Sequence, residues 1–167
     1  MEQCYIILAL DNNYSSNLIE LILPIQQQEF GVAISVEQQP DLMDMETYYQ
    51  HSGGRFWGAF DGEKLIGTIA LIALGHQAGA IRKMFVQQEY RGKEKGIGQQ
   101  LFDHLLAYCK TADIEDIYLG TVAQMNAAHR FYERNGFTPI DADALPFYFP
   151  RMAVDNVFYH LNLKQLI

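Results

Sequence analysis

An α/β layer fold on a mixed sheet is predicted by three observations. Apolar periodicity switches along the chain between about 2 and about 3.6 residues, giving the order β, α, α, β, β, β, α, β, α, β, β. The 167 residues are 49% hydrophobic and 13% aromatic, enough to fill a sizeable core. No Pro/Gly/Ser-rich linker divides them, so residues 1–167 are expected to form one domain.

The elements follow in order. Residues 5–10 form a short strand closed by Asn12-Asn13. Ser16 or Asn17 caps a helix whose apolar positions Leu18, Leu21, Ile22 and Ile25 keep helical spacing, with Pro24 kinking or ending it. A second, acidic helix is expected over residues 41–50, because Leu42, Met45 and Tyr49 recur at three and four residues before Ser52-Gly53-Gly54 stops it. Residues 55–60 and 65–74 are aromatic and β-branched runs around Asp61-Gly62-Glu63-Lys64, a hairpin signal. Residues 80–86 make the next strand. Ile97, Leu101, Leu105 and Cys109 mark one face of a helix. Residues 114–119 form a strand and 126–135 a helix that Gly136 ends; 137–140 and 157–163 complete the sheet across an aromatic loop, Pro146 to Pro150.

Charge excludes some functions. Twelve Lys plus Arg against twenty Asp plus Glu give a net charge of -8, which argues against coating DNA or an anionic membrane. Its distribution is uneven. The first basic residue is Arg55, and eight carboxylates (Glu2, Asp11, Glu20, Glu29, Glu37, Asp41, Asp44, Glu46) precede it. Cys4 and Cys109 are too few for a disulfide scaffold and lack CxxC spacing, which fits a reducing compartment, the cytoplasm. No leader pattern and no bilayer-length apolar run are legible. The histidines show no ligand spacing, so no metal is expected, and no Ser/His/Asp or Cys/His arrangement is evident.

Residues 84–101, MFVQQEYRGKEKGIGQQL, carry the chemistry. A strand ends at Val86, a glycine-bearing turn follows, and a helix begins near Gly96. A helix start offers unpaired N–H donors and about half a positive charge, and Gly96 and Gly98 let a phosphate approach the backbone. Five of the twelve basic residues (Arg82, Lys83, Arg91, Lys93, Lys95) fall between 82 and 95. A phosphate-bearing ligand is the inference. Walker chemistry fails, since Lys95 precedes Gly96 and no hydroxyl follows; the dinucleotide fingerprint fails because Leu101 stands where a third glycine belongs.

The strand, the KEKGIG of residues 93–98 after YRG at 90–92, and the downstream MNAAHRFYERNGF at 125–137 together resemble the GNAT superfamily of acyl-CoA-dependent N-acetyltransferases. The resemblance implies a mixed central sheet of about six to seven strands with helices on both faces. It implies acetyl-CoA as co-substrate, with the backbone around Met84 and Val86 pairing with the pantetheine arm. The N–H groups of Lys93, Glu94, Lys95, Gly96, Ile97 and Gly98, with Gly92 in the turn, would hold the pyrophosphate, helped by Arg91, Lys93 and Lys95. Asn126 would bond the pantetheine or fix the following helix, and Tyr132 would protonate the departing thiolate. The aromatic loop would wall the acceptor pocket. Two departures stand out: RGKEKG is two residues longer than the frequent RGKG, and the usual Glu at the start of the preceding strand is replaced by Gly79-Ala80-Ile81-Arg82.

A base matters because an alkyl ammonium is neutral in only about one molecule per thousand at pH 7, which adds roughly 4 kcal/mol to the barrier. His76, Glu89 and Tyr148 are the sequence candidates. The expected function is acetyl transfer to a primary amine of a small molecule or peptide, by direct attack in a ternary complex. The alternative is a CoA-binding sensor of the same fold. The acidic N-terminal third would either attract a cationic acceptor or merely solvate the faces of its helices. Nucleic-acid and membrane partners are not expected, and a homodimer is compatible with the resemblance.

Overall fold

The computed structural model describes residues 5–166, and its strands alternate between two cores. The expected residue Cys4 lies outside the described residues. Seven strands form one sheet in the order β1-β2-β3-β4-β5-β7-β6: β1 Ile6–Ala9, β2 Arg55–Asp61, β3 Lys64–Gly75, β4 Ala78–Val86, β5 Asp116–Thr121, β6 Thr138–Ile140 and β7 Val157–Asn162. All pairings are antiparallel except β4 with β5. In β2, Phe56 and Phe60 face one core while Trp57 and Ala59 face the other, as a period of two requires.

Each core has its own helices. On one face α1, Ser15–Pro24, buries Leu18, Leu21 and Ile22 against Phe56, Phe60 and Ala70. On the other, α2, Ile97–Thr111, buries Ile97, Leu101, Phe102, Leu105 and Cys109 against Ile66, Ile69 and Leu71. Each such Leu or Ile contributes about 1.5–3 kcal/mol. The short α3, Asn126–Arg134, adds Tyr132 to the second core. The mixed sheet with helices on both faces is as the sequence predicts. Among the described residues no helix is long and apolar enough to cross a membrane.

One predicted helix is not continuous. Instead of a helix over 41–50 there is a single turn, Pro40–Leu42, and then a π-helical turn, Glu46–Gln50. The cause is Asp44, whose Oδ1 accepts from the Thr47 N–H at 3.2 Å and from Asn12 Nδ2 at 3.0 Å. A carboxylate bonded three residues ahead is a helix N-cap, so helix starts afresh after Asp44. Pro24 closes α1 at its last residue. The chain continues into a π turn, Ile25–Glu29, closed by the Phe30 N–H donating to the Ile25 carbonyl at 3.0 Å.

The sheet parts in its middle. β5 pairs with β4 only over Ala78, Gly79 and Ala80, yet pairs with β7 along its full length. Opposite β3, β4 carries a bulge: Thr68 faces Phe85 while Ala70 faces Arg82, leaving Lys83 with φ of 52°. A bulge bends and twists its strand. Residues 81–86 therefore swing away from residues 119–121 and leave a cleft between two parallel strand ends, the place where open α/β sheets take ligands.

Candidate functional site

That cleft is a cavity of about 450 Å³. Arg82, Lys83 and Met84 form one wall; Gly120, Thr121 and Met125 form the other. Tyr132, 7% exposed, reaches it from α3. Residues 30–34 after the π turn close one rim, and Met152, Val154 and Asp155 close the opposite one.

The turn expected to bind phosphate does not itself line the cavity; it approaches it at Gly98, where a Cβ would lie 3.6 Å from the side chain of Met84, which does. Gly96 sits before α2 with φ of 62°, a left-handed conformation that favours glycine, and its own N–H, expected to hold a pyrophosphate, donates instead to the Gly92 carbonyl at 3.1 Å. Gly98 is in the first turn of α2, whereas the Ile97 side chain is core, so Ile97 has only its backbone to offer a ligand. Gly92 lies at φ of 118°, and Lys93 and Glu94 are exposed. Lys95 donates to the Glu89 carbonyl and stands over the Tyr90 ring. Arg91 is engaged more firmly. Both of its terminal nitrogens bond the Glu29 carboxylate, and its Nε donates to the Val86 carbonyl at 2.7 Å. The turn is thereby tied to the rim that carries residues 30–34. Met84 faces the cavity, and Asn126 is exposed at the start of α3.

The three sequence candidates for a base lie elsewhere. His76, at the tip of the β3–β4 hairpin, stacks on Tyr148 at 4.2 Å, and Phe147 beside them is 91% exposed. Glu89 is exposed in the turn after β4. Residues 147–149 do not line the cavity, because Phe149 is drawn into a small core with Ala80 and Phe158; the next stretch, 152–156, forms the wall instead.

Sequence reasoning missed what the cavity holds in charge. Lys83 donates to Gln39 Oε1 and lies 3.8 Å from Asp41, whose carboxylate accepts the Tyr49 hydroxyl at 2.6 Å. Gln39 and Gln26 exchange reciprocal amide bonds of 2.9 Å beneath them. Burial holds the Lys83 ammonium below its usual pKa, against the opposing pull of Asp41. Asp155 is half-buried, and loss of water raises its pKa although Arg82 and Arg151 oppose the shift. Burial likewise pushes the Tyr132 phenol well up, with Tyr159 and Asp155 adding to it. The adjacent cations Arg82-Lys83 inside a strand were a legible signal; Asp155 had none.

Residues 19–137 match the sequence model of the acetyltransferase (GNAT) family. The chain belongs to the GNAT family. A GNAT acetyltransferase from Staphylococcus aureus Mu50 superposes with a TM-score of 0.90 at 41% identity, covering 96% of this chain and 99% of that one. The PaiA N-acetyltransferase of Thermoplasma acidophilum, in complex with coenzyme A, shares the fold at a TM-score of 0.71 and 20% identity, over 95% of this chain and 99% of that one. Among curated relatives, N-acetylaspartate synthetase of Xenopus tropicalis is 37% identical over 101 residues, 58% of this chain and 36% of that protein. The aligned part is thus about a third of that relative's length. In this GNAT chain the missing β4 carboxylate is a real absence from the strand: Ala80 is buried in the small core and Arg82 faces the cleft.

Proposed function

We propose that this GNAT chain transfers an acetyl group from acetyl-CoA to a primary amine, by direct attack within a ternary complex. The observation that carries this reading is the cleft between β4 and β5, which Met84 and Tyr132 both line and beside which the glycine-bearing start of α2 packs, a Cβ at Gly98 lying 3.6 Å from the Met84 side chain. The residues fit the co-substrate. The unpaired edge of β4 at 81–86 suits an amide-bearing arm, and the first turn of α2 suits a pyrophosphate. Acetyl-CoA supplies an activated thioester. Tyr132 supplies the proton for the departing sulfur, and its raised pKa keeps it protonated for that role.

No cysteine acyl carrier is assigned to the cleft. Cys109 lies on the buried face of α2, and burial pushes its thiol up to about 12. Peptide mapping after iodoacetamide treatment is expected to leave Cys109 unmodified in the folded protein and to label it in urea. Labelling under native conditions at the rate of a free thiol would reopen a covalent route.

The whole reading is tested by melting the protein with acetyl-CoA, ATP or NAD. A ligand at 100 times its dissociation constant stabilises by about 2.7 kcal/mol, so acetyl-CoA alone is expected to raise Tm by several degrees. Thiol release across an amine panel then measures turnover. A Tm shift without turnover on any amine would favour a CoA sensor, while no shift at all would remove both.

A further inference from the structure

The cleft holds a cation and an anion that share one cavity without pairing. Arg82 and Asp155 both line it, and each lies in the other's field. Among the described residues, however, neither has an opposite charge within 4 Å. Guanidinium and carboxylate groups pair readily when free to do so. Here both are pinned. Arg82 donates to the Pro150 carbonyl. Asp155 sits against Gly120, where a Cβ would come within 2.5 Å of its Oδ2. Asn156 locks the loop onto the end of β5: its N–H donates to the Thr121 carbonyl at 3.0 Å, and its Oδ1 accepts from the Ala123 N–H at 3.0 Å. The third charge in the cavity, Lys83, is already satisfied by Gln39 and Asp41.

The sequence expectation of a cationic acceptor drew on the N-terminal carboxylates, and five of those are bonded to protein groups. Asp11 holds the Asn13 N–H, Asp41 holds Tyr49, Asp44 holds Asn12 and Thr47, Glu46 holds the Asn12 N–H, and Glu29 holds Arg91. What faces the cleft is a preorganised pair of opposite charges. A molecule satisfying both carries an ammonium and a carboxylate a few atoms apart.

We propose that the acceptor is an amino acid with a free α-carboxylate, its carboxylate held by Arg82 and its amine by Asp155, which takes the amine proton. This rests on the acetyl-transfer reading. The ammonium gives one proton to the Asp155 carboxylate, and the freed nitrogen pair attacks the thioester carbonyl. As the C–N bond forms and the C–S bond breaks, the bonding pair goes to sulfur, which takes the Tyr132 proton. The nitrogen's excess proton passes to the Tyr132 phenolate, and Asp155 releases its proton to water. Asp155 thus replaces, from the loop before β7, the carboxylate that β4 lacks. Tyr132, which lies in the field of Asp155, is the group that brings the two ends of the reaction together.

The test compares each L-amino acid with its α-carboxamide in a thiol-release assay using acetyl-CoA. The carboxamide has the lower amine pKa, which favours its free base, so any preference for the acid must come from the carboxylate contact. At least a ten-fold higher kcat/KM for the best acid over its carboxamide is expected, in line with a charged hydrogen bond. Arg82→Gln should lower the acid to the level of the carboxamide through KM, with Arg82→Lys between. Asp155→Asn should lower kcat about 100-fold for both substrates, with Asp155→Glu recovering part. An unchanged acetyl-CoA melting shift in each variant confirms that the fold is kept; a variant that loses it is judged by its conservative partner. Equal turnover of acid and carboxamide, or an Arg82→Gln ratio unchanged from the native one, would overturn the proposal and leave acetyl transfer standing. An acetyl-CoA shift with no turnover of either set would likewise overturn the proposal, and the acetyl-transfer reading itself falls only if the wider amine panel is silent as well.

Discussion

Tyr132→Phe is expected to lower kcat by about 100-fold or more while leaving the acetyl-CoA dissociation constant within two-fold of native. A positioned general acid typically contributes about 10²- to 10⁴-fold, and the thiol, with a pKa of about 8.5, is already a fair leaving group, so the lower end applies. The substitution keeps the ring. Tyr132 packs at 5.7 Å from both Phe137 and Tyr159, contacts that phenylalanine reproduces, so stability should barely change. The hydroxyl is the only atom lost, and no protein hydrogen bond holds it among the described residues. The sign of the pH effect follows from the raised pKa. A neutral acid whose pKa is raised keeps its proton, and activity is lost only as pH climbs through that raised value. Tyr132 therefore imposes no alkaline limb below about pH 10, the ordinary phenol value. Thiol release against pH in both proteins checks this. Full turnover in Tyr132→Phe would remove its acid role.

Much of this machinery is legible in the sequence because it rests on local patterns. The spacing of Ile97, Leu101, Leu105 and Cys109 places α2 on its core face, and Asp61-Gly62-Glu63-Lys64 places the β2–β3 turn. Gly96 and Gly98 mark the helix start for the same local reason. What was not legible is set by contacts distant in the chain. The break in the helix at 41–50 comes from Asp44, which is bonded to Asn12, 32 residues away. The opening of the cleft comes from β5 following β7 rather than β4, which no periodicity announces. Asp155 enters the cleft because Gly120, on another strand, leaves room for it. Arg91 looked like a free phosphate ligand because its partner Glu29 lies 62 residues earlier.

Gly54→Ala should produce the largest loss of stability of any change considered, about 3 kcal/mol. Gly54 is not needed for an unusual backbone angle; it is needed for space. A Cβ there would lie 2.0 Å from the Leu71 carbonyl oxygen and 3.0 Å from that of Tyr49. Both are backbone atoms, and neither can swing aside as a flexible side chain would. Leu71 is fixed in the β2–β3 ladder opposite Arg55, and the Tyr49 carbonyl accepts the Gly54 N–H at 2.8 Å. Overpacking usually costs about 1–3 kcal/mol, and backbone on both sides puts this site at the upper end. For a chain of this size the loss corresponds to about 6–12 °C in Tm. The consequence reaches the cleft. The turn that Gly54 joins to β2 carries Tyr49, which holds Asp41, which in turn helps to keep Lys83 out of the acceptor's way. Gly54→Ala should therefore raise the acceptor KM more than it weakens acetyl-CoA binding, since α2 and its turn pack on the opposite face of the sheet. Urea denaturation gives the stability change, and steady-state kinetics gives the KM split. A loss under 1 kcal/mol would mean that the junction between the π turn and β2 yields.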